Sequence, residues 1–155
     1  MKCLLKWLLL ALCASASVAS AAPPVQRIQA YTVEGDAIAK SLTGRAGDAA
    51  RGAVLIQQRQ KSLCVLCHAG PFPDPHLQGT LAPDLTGIGD RLSAGQLRLR
   101  IVDMKRLNPT SIMPTYHASI PNSDVTRVPK DWRSKPILTA DEIEDLVAYL
   151  QTLKR

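Results

Sequence analysis

One motif restricts the folds open to this chain more than any other feature: Cys64 and Cys67 enclose two residues, and His68 follows the second cysteine directly. Thiols at this spacing can each add to a vinyl group of one haem, and the adjoining imidazole is then held over one face of the iron. The motif therefore predicts covalent c-type haem. The alternatives are a single disulfide and a thioredoxin-type thiol oxidoreductase, in which such a motif opens a helix after a strand.

The sequence around the motif favours haem over these alternatives. No strand-helix-strand pattern surrounds Cys64, as a thioredoxin-type enzyme would require. A zinc site is disfavoured because no second pair of cysteines or histidines accompanies the first. A haem-free dithiol enzyme remains an alternative hypothesis.

Residues 1–21 have the pattern of a secretory signal peptide: a basic start, an apolar run over residues 4–12 and a series of small residues ending at Ala21. The run is too short to anchor the chain in a bilayer. We predict cleavage after Ala21 and a periplasmic protein without a membrane anchor. Lipid attachment at Cys13 is an alternative that the bulky preceding leucine disfavours. Export agrees with haem attachment, which takes place in an oxidising compartment.

Cleavage would remove two lysines and no acidic residue, so the net charge would fall from +6 to +4. The remaining charges are scattered and form no basic tract interleaved with aromatic residues, which gives no reason to infer nucleic-acid binding. Cleavage would also leave Cys64 and Cys67 as the mature cysteines. Two cysteines this close together cannot staple a domain of this size, so chemistry is the better explanation for them.

Helical patterns and proline-rich loops make up the mature sequence. We expect an arm over residues 22–46 with one short helix, followed by a domain over residues 47–155. The first helix of the domain should run from an N-cap at Asp48 to Arg59. Gly52 is costly inside a helix, and its presence there suggests a close crossing by another helix.

Capping boxes mark two further helices. Ser93 and Gln96 predict a helix to about Met104, and Thr139 and Glu142 begin the clearest helix of the chain. Proline and glycine predict ordered loops over residues 70–89 and 105–138. No useful alternating strand pattern appears, so the predicted fold class is all-α, a small loop-rich domain. Aromatic residues are sparse, and a covalent haem would supply the missing apolar area of the core.

An iron bound by His68 takes a second axial ligand from the chain unless it binds small molecules. Met113 is our first candidate because it directly precedes Pro114, where the backbone is extended and the side chain can be held towards the haem. His117 is the runner-up. Met104 fits the apolar face of a helix and is expected in the core, and His76, like His117, is more typical of the surface.

The order of these segments resembles the class I cytochromes c. Residues 48–68, the stretch GTLAPDLTGIGDR, the tripeptide IMP and the ending LTADEIEDLVAYLQTL carry the resemblance over residues 47–155. The arm, LTGIGDRLSAGQLRLRIVD, NPTSIMPTYH and KPILTADEIEDLVAYL are similar, more narrowly, to SoxX, the mono-haem subunit family of the sulfur-oxidation cytochrome SoxAX. This second resemblance spans most of the mature chain.

The resemblance implies one haem c bound through Cys64 and Cys67, with His68 and Met113 as axial ligands. It also implies that the backbone carbonyl of Pro83 accepts a hydrogen bond from the second ring nitrogen of His68. The residue before this proline departs from the family, which usually has glycine there; this chain has alanine. Gly52 and Tyr149 match the positions at which the first and last helices cross.

The resemblance further implies a heterodimer with a SoxA-type subunit. The complex, an L-cysteine S-thiosulfotransferase, joins thiosulfate to a cysteine of the SoxYZ carrier, and this chain would relay the released electrons to a downstream cytochrome c acceptor without being catalytic. A free-standing electron-carrier cytochrome is the alternative. The loop from Thr115 to Lys135, with Tyr116 and Trp132, is a candidate docking face, and a plain solvent-facing loop is an equal alternative.

Overall fold

The structure is a computed structural model that describes residues 27–117 and 135–155. The predicted signal peptide, the start of the arm and most of the predicted docking loop, including Trp132, lie outside the described residues. Within the described ranges the chain is helical, and its two β-bridges are isolated and form no strand. The α-helices are α1 (Ala49–Leu55), α2 (Cys64–Cys67), α3 (Ile88–Arg91), α4 (Ala94–Asp103) and α5 (Ala140–Thr152).

Both predicted capping boxes are present. The Ser93 hydroxyl accepts a hydrogen bond from the amide of Gln96, whose side chain accepts one from the amide of Ser93 (3.3 and 2.9 Å). Thr139 and Glu142 make the same reciprocal pair (3.2 and 3.0 Å). These side chains satisfy amides that a helix start otherwise leaves without partners. The starts of α4 and α5 were therefore correctly predicted.

Helix α1 begins as predicted but ends earlier than Arg59. The Asp48 carboxylate accepts hydrogen bonds from two amides of the first turn, as an N-cap does (2.8 and 3.1 Å). At the other end, the buried Ser62 hydroxyl lies 2.7 Å from the carbonyl oxygen of Leu55 and 3.2 Å from that of Ile56. The Ser62 hydroxyl thus caps carbonyls at the end of the helix, which stops at Leu55, directly before Ile56, instead of at Arg59.

Helix α1 packs directly against α5, and Gly52 makes this possible. A Cβ atom at this position would lie 2.0 Å from the carbonyl oxygen of Asp145 and 2.7 Å from the Cβ of Tyr149. No such distance is tolerated between non-bonded atoms, so only glycine fits here. The close helix crossing predicted from Gly52 is confirmed.

The described part of the arm, residues 27–46, contains no helix, so the prediction of a short one was wrong there. The backbone instead makes a tight turn, in which Glu34 and Ala37 pair, and then lies along α4 and α5. A buried ion pair between Arg98 and Glu144 holds it there. Arg98 donates to the carbonyl of residue 38 (2.6 Å), and Glu144 accepts from the amide of residue 42 (2.8 Å). These bonds satisfy an extended backbone that a helix would have paired internally.

The two loops contain short helical turns that the sequence did not predict. A 3-10 turn, Pro75–Leu77, lies within residues 70–89, and α3 begins at the end of that loop. A second 3-10 turn, Met104–Arg106, directly follows α4. No helix in the described part of the chain is long and apolar enough to cross a membrane.

The core lies between α1, α4 and α5 and is mainly aliphatic. Its fully buried members include Ile38 from the arm, Leu99 and Val102 from α4, and Ile143 and Leu146 from α5. Among the described aromatic residues, Phe72 and Tyr116 are buried in this core, and Tyr31 and Tyr149 are partly buried against it. One side of the core is left open by a cleft, described next.

Candidate haem site

Helix α2 presents both cysteines of the motif. It is a single turn that begins after Leu63, a residue in the left-handed conformation (φ +61°). Such a backbone is unfavourable for leucine, and sites of strain of this kind cluster where a protein positions functional groups. Residues three apart on one helical turn share a face, so the Cys64 and Cys67 side chains lie on the same side. Both thiols are free.

His68 follows α2 in an extended conformation and is oriented by the next loop. Its Nδ1 lies 2.7 Å from the carbonyl oxygen of Pro83. A carbonyl can only accept, so Nδ1 carries a proton, and in the neutral ring Nε2 then keeps its lone pair. This is the arrangement that a metal-ligating histidine uses to fix its ring. The amide of Ala82 donates to the carbonyl of Cys67 (2.9 Å), which holds the same loop against the motif.

Alanine is accommodated at position 82 without strain. Among the described residues, the left-handed conformation occurs at Leu63, Asp74 and three glycines, and Ala82 is not one of them. The glycine usual in the family is therefore not required here for its backbone freedom.

An apolar cleft of about 460 Å³ lies beside the motif. Leucine and isoleucine side chains from α4, α5 and the loops form most of its walls. All five residues predicted to hold the haem line it: Cys64, Cys67, His68, Pro83 and Met113. The structure thus brings these five residues, which are as much as 49 positions apart in the chain, onto one cleft.

Met104 lines the same cleft as Met113. The expectation that Met104 belongs to the core was wrong: α4 ends one residue earlier, and Met104 starts a 3-10 turn with its side chain half-buried. Met113 is also half-buried and packs against the core. The cleft therefore offers two thioethers. A test of Met113 as the iron ligand has to compare it with Met104.

The two other histidines lie away from the cleft walls. His76 is exposed, in the first 3-10 turn, as expected. His117 is fully buried, so the expectation of a surface histidine was wrong for this residue. Both of its ring nitrogens are engaged, Nε2 with the amide of Gln29 (3.0 Å) and Nδ1 with the carbonyl of Leu138 (2.7 Å). No lone pair remains for a metal, which removes His117 as the runner-up ligand.

Tyr116 is not a docking residue, because it is 2% exposed. Its hydroxyl donates a hydrogen bond to the carbonyl of Ser62, two residues before Cys64. Burial raises the pKa of this hydroxyl, so it remains a donor. Tyr116 therefore links the segment that carries Met113 to the segment that carries the cysteines.

The thiols do not have the properties of a dithiol enzyme. Burial raises the pKa of Cys64 to about 11, whereas the nucleophilic cysteine of such an enzyme has a lowered pKa. No strand precedes α2 in the described chain, contrary to the thioredoxin-type pattern. Nor do the described residues contain a group of three His, Cys, Asp or Glu side chains that could hold a metal ion.

The residues present fit a covalently bound haem. Two thiols on one helical face can be joined to its edge, the free Nε2 of His68 can bind iron, and the apolar walls suit a large planar macrocycle. The thioether of Met113 or Met104 is available on the same cleft. The site thus supplies attachment, ligation and a low-dielectric surround.

Comparison with known proteins agrees with this site. The family model of cytochrome c matches residues 49–154. The crystal structure of SoxXA from P. pantotrophus contains a similar chain: 33% of aligned residues are identical, the match covers 81% of this chain and 95% of that one, and the TM-score is 0.71. A search of curated proteins found no match. The chain belongs to the cytochrome c family, whose members bind haem c covalently, and it is a class I cytochrome of the SoxX type.

Proposed function

We propose that this chain is the electron-relay subunit of a SoxAX-type complex in the periplasm and that it carries one haem c. The proposal rests on one observation: the same apolar cleft is lined by Cys64, Cys67, His68 and Met113. The likeness to SoxXA supports the assignment to this type of complex.

The two cysteines would hold the haem. Each thiol would add across a vinyl group of the haem, forming a sulfur-carbon bond while the thiol hydrogen passes to the other vinyl carbon, so that no oxidant would be needed. Both mature cysteines are used in this way, so neither Cys64 nor Cys67 is left to carry sulfur. This is why the chain fits the relay role and not the sulfur-handling role.

His68 and Met113 would supply the protein ligands of the iron. The hydrogen bond to the Pro83 carbonyl fixes the orientation of the His68 ring. A bound haem supplies an iron that takes up and releases one electron at a time. A thioether ligand raises its reduction potential relative to a second histidine, which suits an electron acceptor. If both residues bind the iron, no open coordination position would remain for a sulfur substrate.

By the resemblance, electrons would reach this chain from a SoxA-type partner as thiosulfate is joined to the SoxYZ carrier cysteine. A downstream cytochrome c would then accept them. The thiosulfotransferase activity belongs to the complex, and this chain contributes no catalytic residue to it.

The first experiment is purification of the protein from its native periplasmic extract under mild conditions. We expect a stoichiometric complex with a larger haem-containing partner, covalent haem that survives denaturing electrophoresis, and an N-terminus at residue 22. A monomer of the same spectrum would establish the free-standing carrier instead, and a colourless dithiol protein would contradict both.

The second experiment identifies the ligand by comparing Met113→Leu with Met104→Leu. The first variant should keep covalent haem, lower the reduction potential and admit cyanide or carbon monoxide to the iron. The second is the matched control, because it removes the other thioether on the same cleft. If Met104→Leu opens the iron and Met113→Leu does not, the assignment of Met113 is wrong.

A further inference from the structure

His117 has no part in the proposed function, yet it is one of the most completely buried side chains described. The backbone N–H of Gln29 can only donate a hydrogen bond, and the backbone carbonyl of Leu138 can only accept one. These two partners fix the ring as the neutral tautomer with its proton on Nδ1. A buried side chain with both polar atoms paired holds its neighbours in one arrangement, because each lost bond would leave a buried group without a partner.

Backbone hydrogen bonds converge on the same point. The amide of His117 donates to the carbonyl of Val102 at the end of α4 (3.2 Å), and the amide of Leu138 donates to the carbonyl of Tyr116 (3.1 Å). The arm, α4 and the approach to α5 are therefore joined at one residue. That residue lies four positions after Met113.

The segment between Met113 and His117 has little freedom of its own. Pro114 restricts the backbone directly after the methionine. The Thr115 hydroxyl donates to the carboxylate of Asp103 (3.1 Å), and the Tyr116 hydroxyl donates to the backbone just before α2. A displacement at His117 would consequently be passed to Met113 and not absorbed between them.

We propose that His117 is a positioning residue for the Met113 thioether: it fixes the ligand segment by joining it to the arm and to the approach to α5. This rests on the proposed function, in which Met113 is the iron ligand. It also gives the arm a role, since Gln29 supplies one of the two ring contacts. The arm thereby helps to support the haem site, although none of its described residues lines the cleft.

The expected effect follows from the two hydrogen bonds. If both hydrogen bonds stabilise the conformation in which Met113 binds the iron, their loss should increase the fraction of molecules with a detached thioether. We expect an increase of roughly 10- to 30-fold. Cyanide binding to the ferric protein requires a vacated face, so its rate should rise by the same factor. The absorption band of a ferric iron with a thioether ligand should weaken, and the potential should fall.

The test uses the full chain with haem attached and the variants His117→Leu and His117→Asn. Leucine removes both ring contacts. Asparagine can still donate to the carbonyl of Leu138 from near the position of Nδ1, so it should restore part of the band and of the slow cyanide binding. Should the leucine variant fail to fold, the asparagine variant carries the test alone.

Two controls separate positioning from a general loss of stability. His76→Asn changes an exposed histidine away from the cleft and should match the parent in every readout. Asp48→Ala removes the N-cap of α1 and lowers the stability of the fold, but it should leave the thioether band and the cyanide rate unchanged.

The outcomes distinguish this inference from the function on which it rests. A parent protein without the thioether band would overturn the assignment of Met113, and this inference with it. A parent with the band, together with His117 variants that have the same band, potential and cyanide rate, would overturn only the role of His117. Graded loss from asparagine to leucine supports it.

Discussion

Replacing Gly52 with alanine should strongly destabilise the protein, although alanine is the better helix former. The new Cβ would lie 2.0 Å from the carbonyl oxygen of Asp145, 2.7 Å from its carbonyl carbon and 2.7 Å from the Cβ of Tyr149. Two of these atoms belong to the backbone of α5, and Tyr149 Cβ is fixed directly to it. No side-chain rotation relieves the contact, so α1 and α5 must separate.

The magnitude follows from two opposed effects. Overpacking a well-packed site costs about 1 to 3 kcal/mol and occasionally more, and contacts with backbone belong at the upper end. The substitution regains about 1 kcal/mol of helix propensity. We expect a net loss of about 2 kcal/mol from the free energy of unfolding, a large share of the roughly 5 to 15 kcal/mol typical of a folded domain.

Guanidinium denaturation of the haem-loaded protein, followed by circular dichroism, measures this loss. Covalent attachment keeps the haem on the unfolded chain, so no dissociation of cofactor complicates the comparison. Val54→Ala is the matched control, because Val54 belongs to the same helix and is 63% exposed. It should change stability by no more than about 0.5 kcal/mol. A Gly52→Ala protein as stable as the parent would refute the argument from close approach.

Two further predictions concern buried charges. Arg98→Met should cost about 3 to 5 kcal/mol because it leaves the Glu144 carboxylate buried without its bidentate partner. Adding Glu144→Leu should recover only part of this loss in the same denaturation assay, because the carbonyl of Ile38 and the amide of Leu42 would still lack the partners that the two charges supply. Burial acts to raise the pKa of Asp145, but hydrogen bonds from Arg51 and from the amide of Asp48 outweigh it and lower the pKa below 3.8. Ionised Asp145 therefore stabilises the fold at pH values above 3.8, and its contribution to the free energy of unfolding is lost as the pH falls through the lowered pKa. Asp145→Asn should cost about 1 to 2 kcal/mol at pH 7 and clearly less at pH 3, and an equal cost at both would contradict this reasoning.

The helix starts and the close crossing could be predicted because each depends on a local chemical signal. Capping side chains mark where a helix begins, because they accept hydrogen bonds from its first amides. Glycine is unfavourable within a helix, so Gly52 indicates that a neighbouring element occupies the space that a Cβ atom would need. The end of α1 could not be predicted in the same way. It depends on Ser62, which reaches back to carbonyls that become its neighbours only after the chain has turned.

The Cys64–His68 motif predicted the chemistry of the site, but not how the rest of the chain supports it. His117 was misjudged because a lone histidine in a proline-rich segment carries no sign of burial, and its partners lie 88 positions before it and 21 after it. Arg98 and Glu144 did carry a signal, since each interrupts the apolar face of a helix. What the sequence left open was the partner of each, which depends on how α4 and α5 pack.

These buried polar contacts share one consequence for the arm. Arg98 and Glu144 pair with each other and with the arm backbone, and His117 binds the arm through Gln29. Such groups are costly to bury unless every partner is present, so removal of the arm would leave several of them unsatisfied at once. If the arm were held by hydrophobic contacts alone, its detachment would cost only the free energy of exposing its few apolar side chains. The arm is therefore held as part of the folded unit, and its ties run to the helix that carries Arg98 and to the segment that carries Met113.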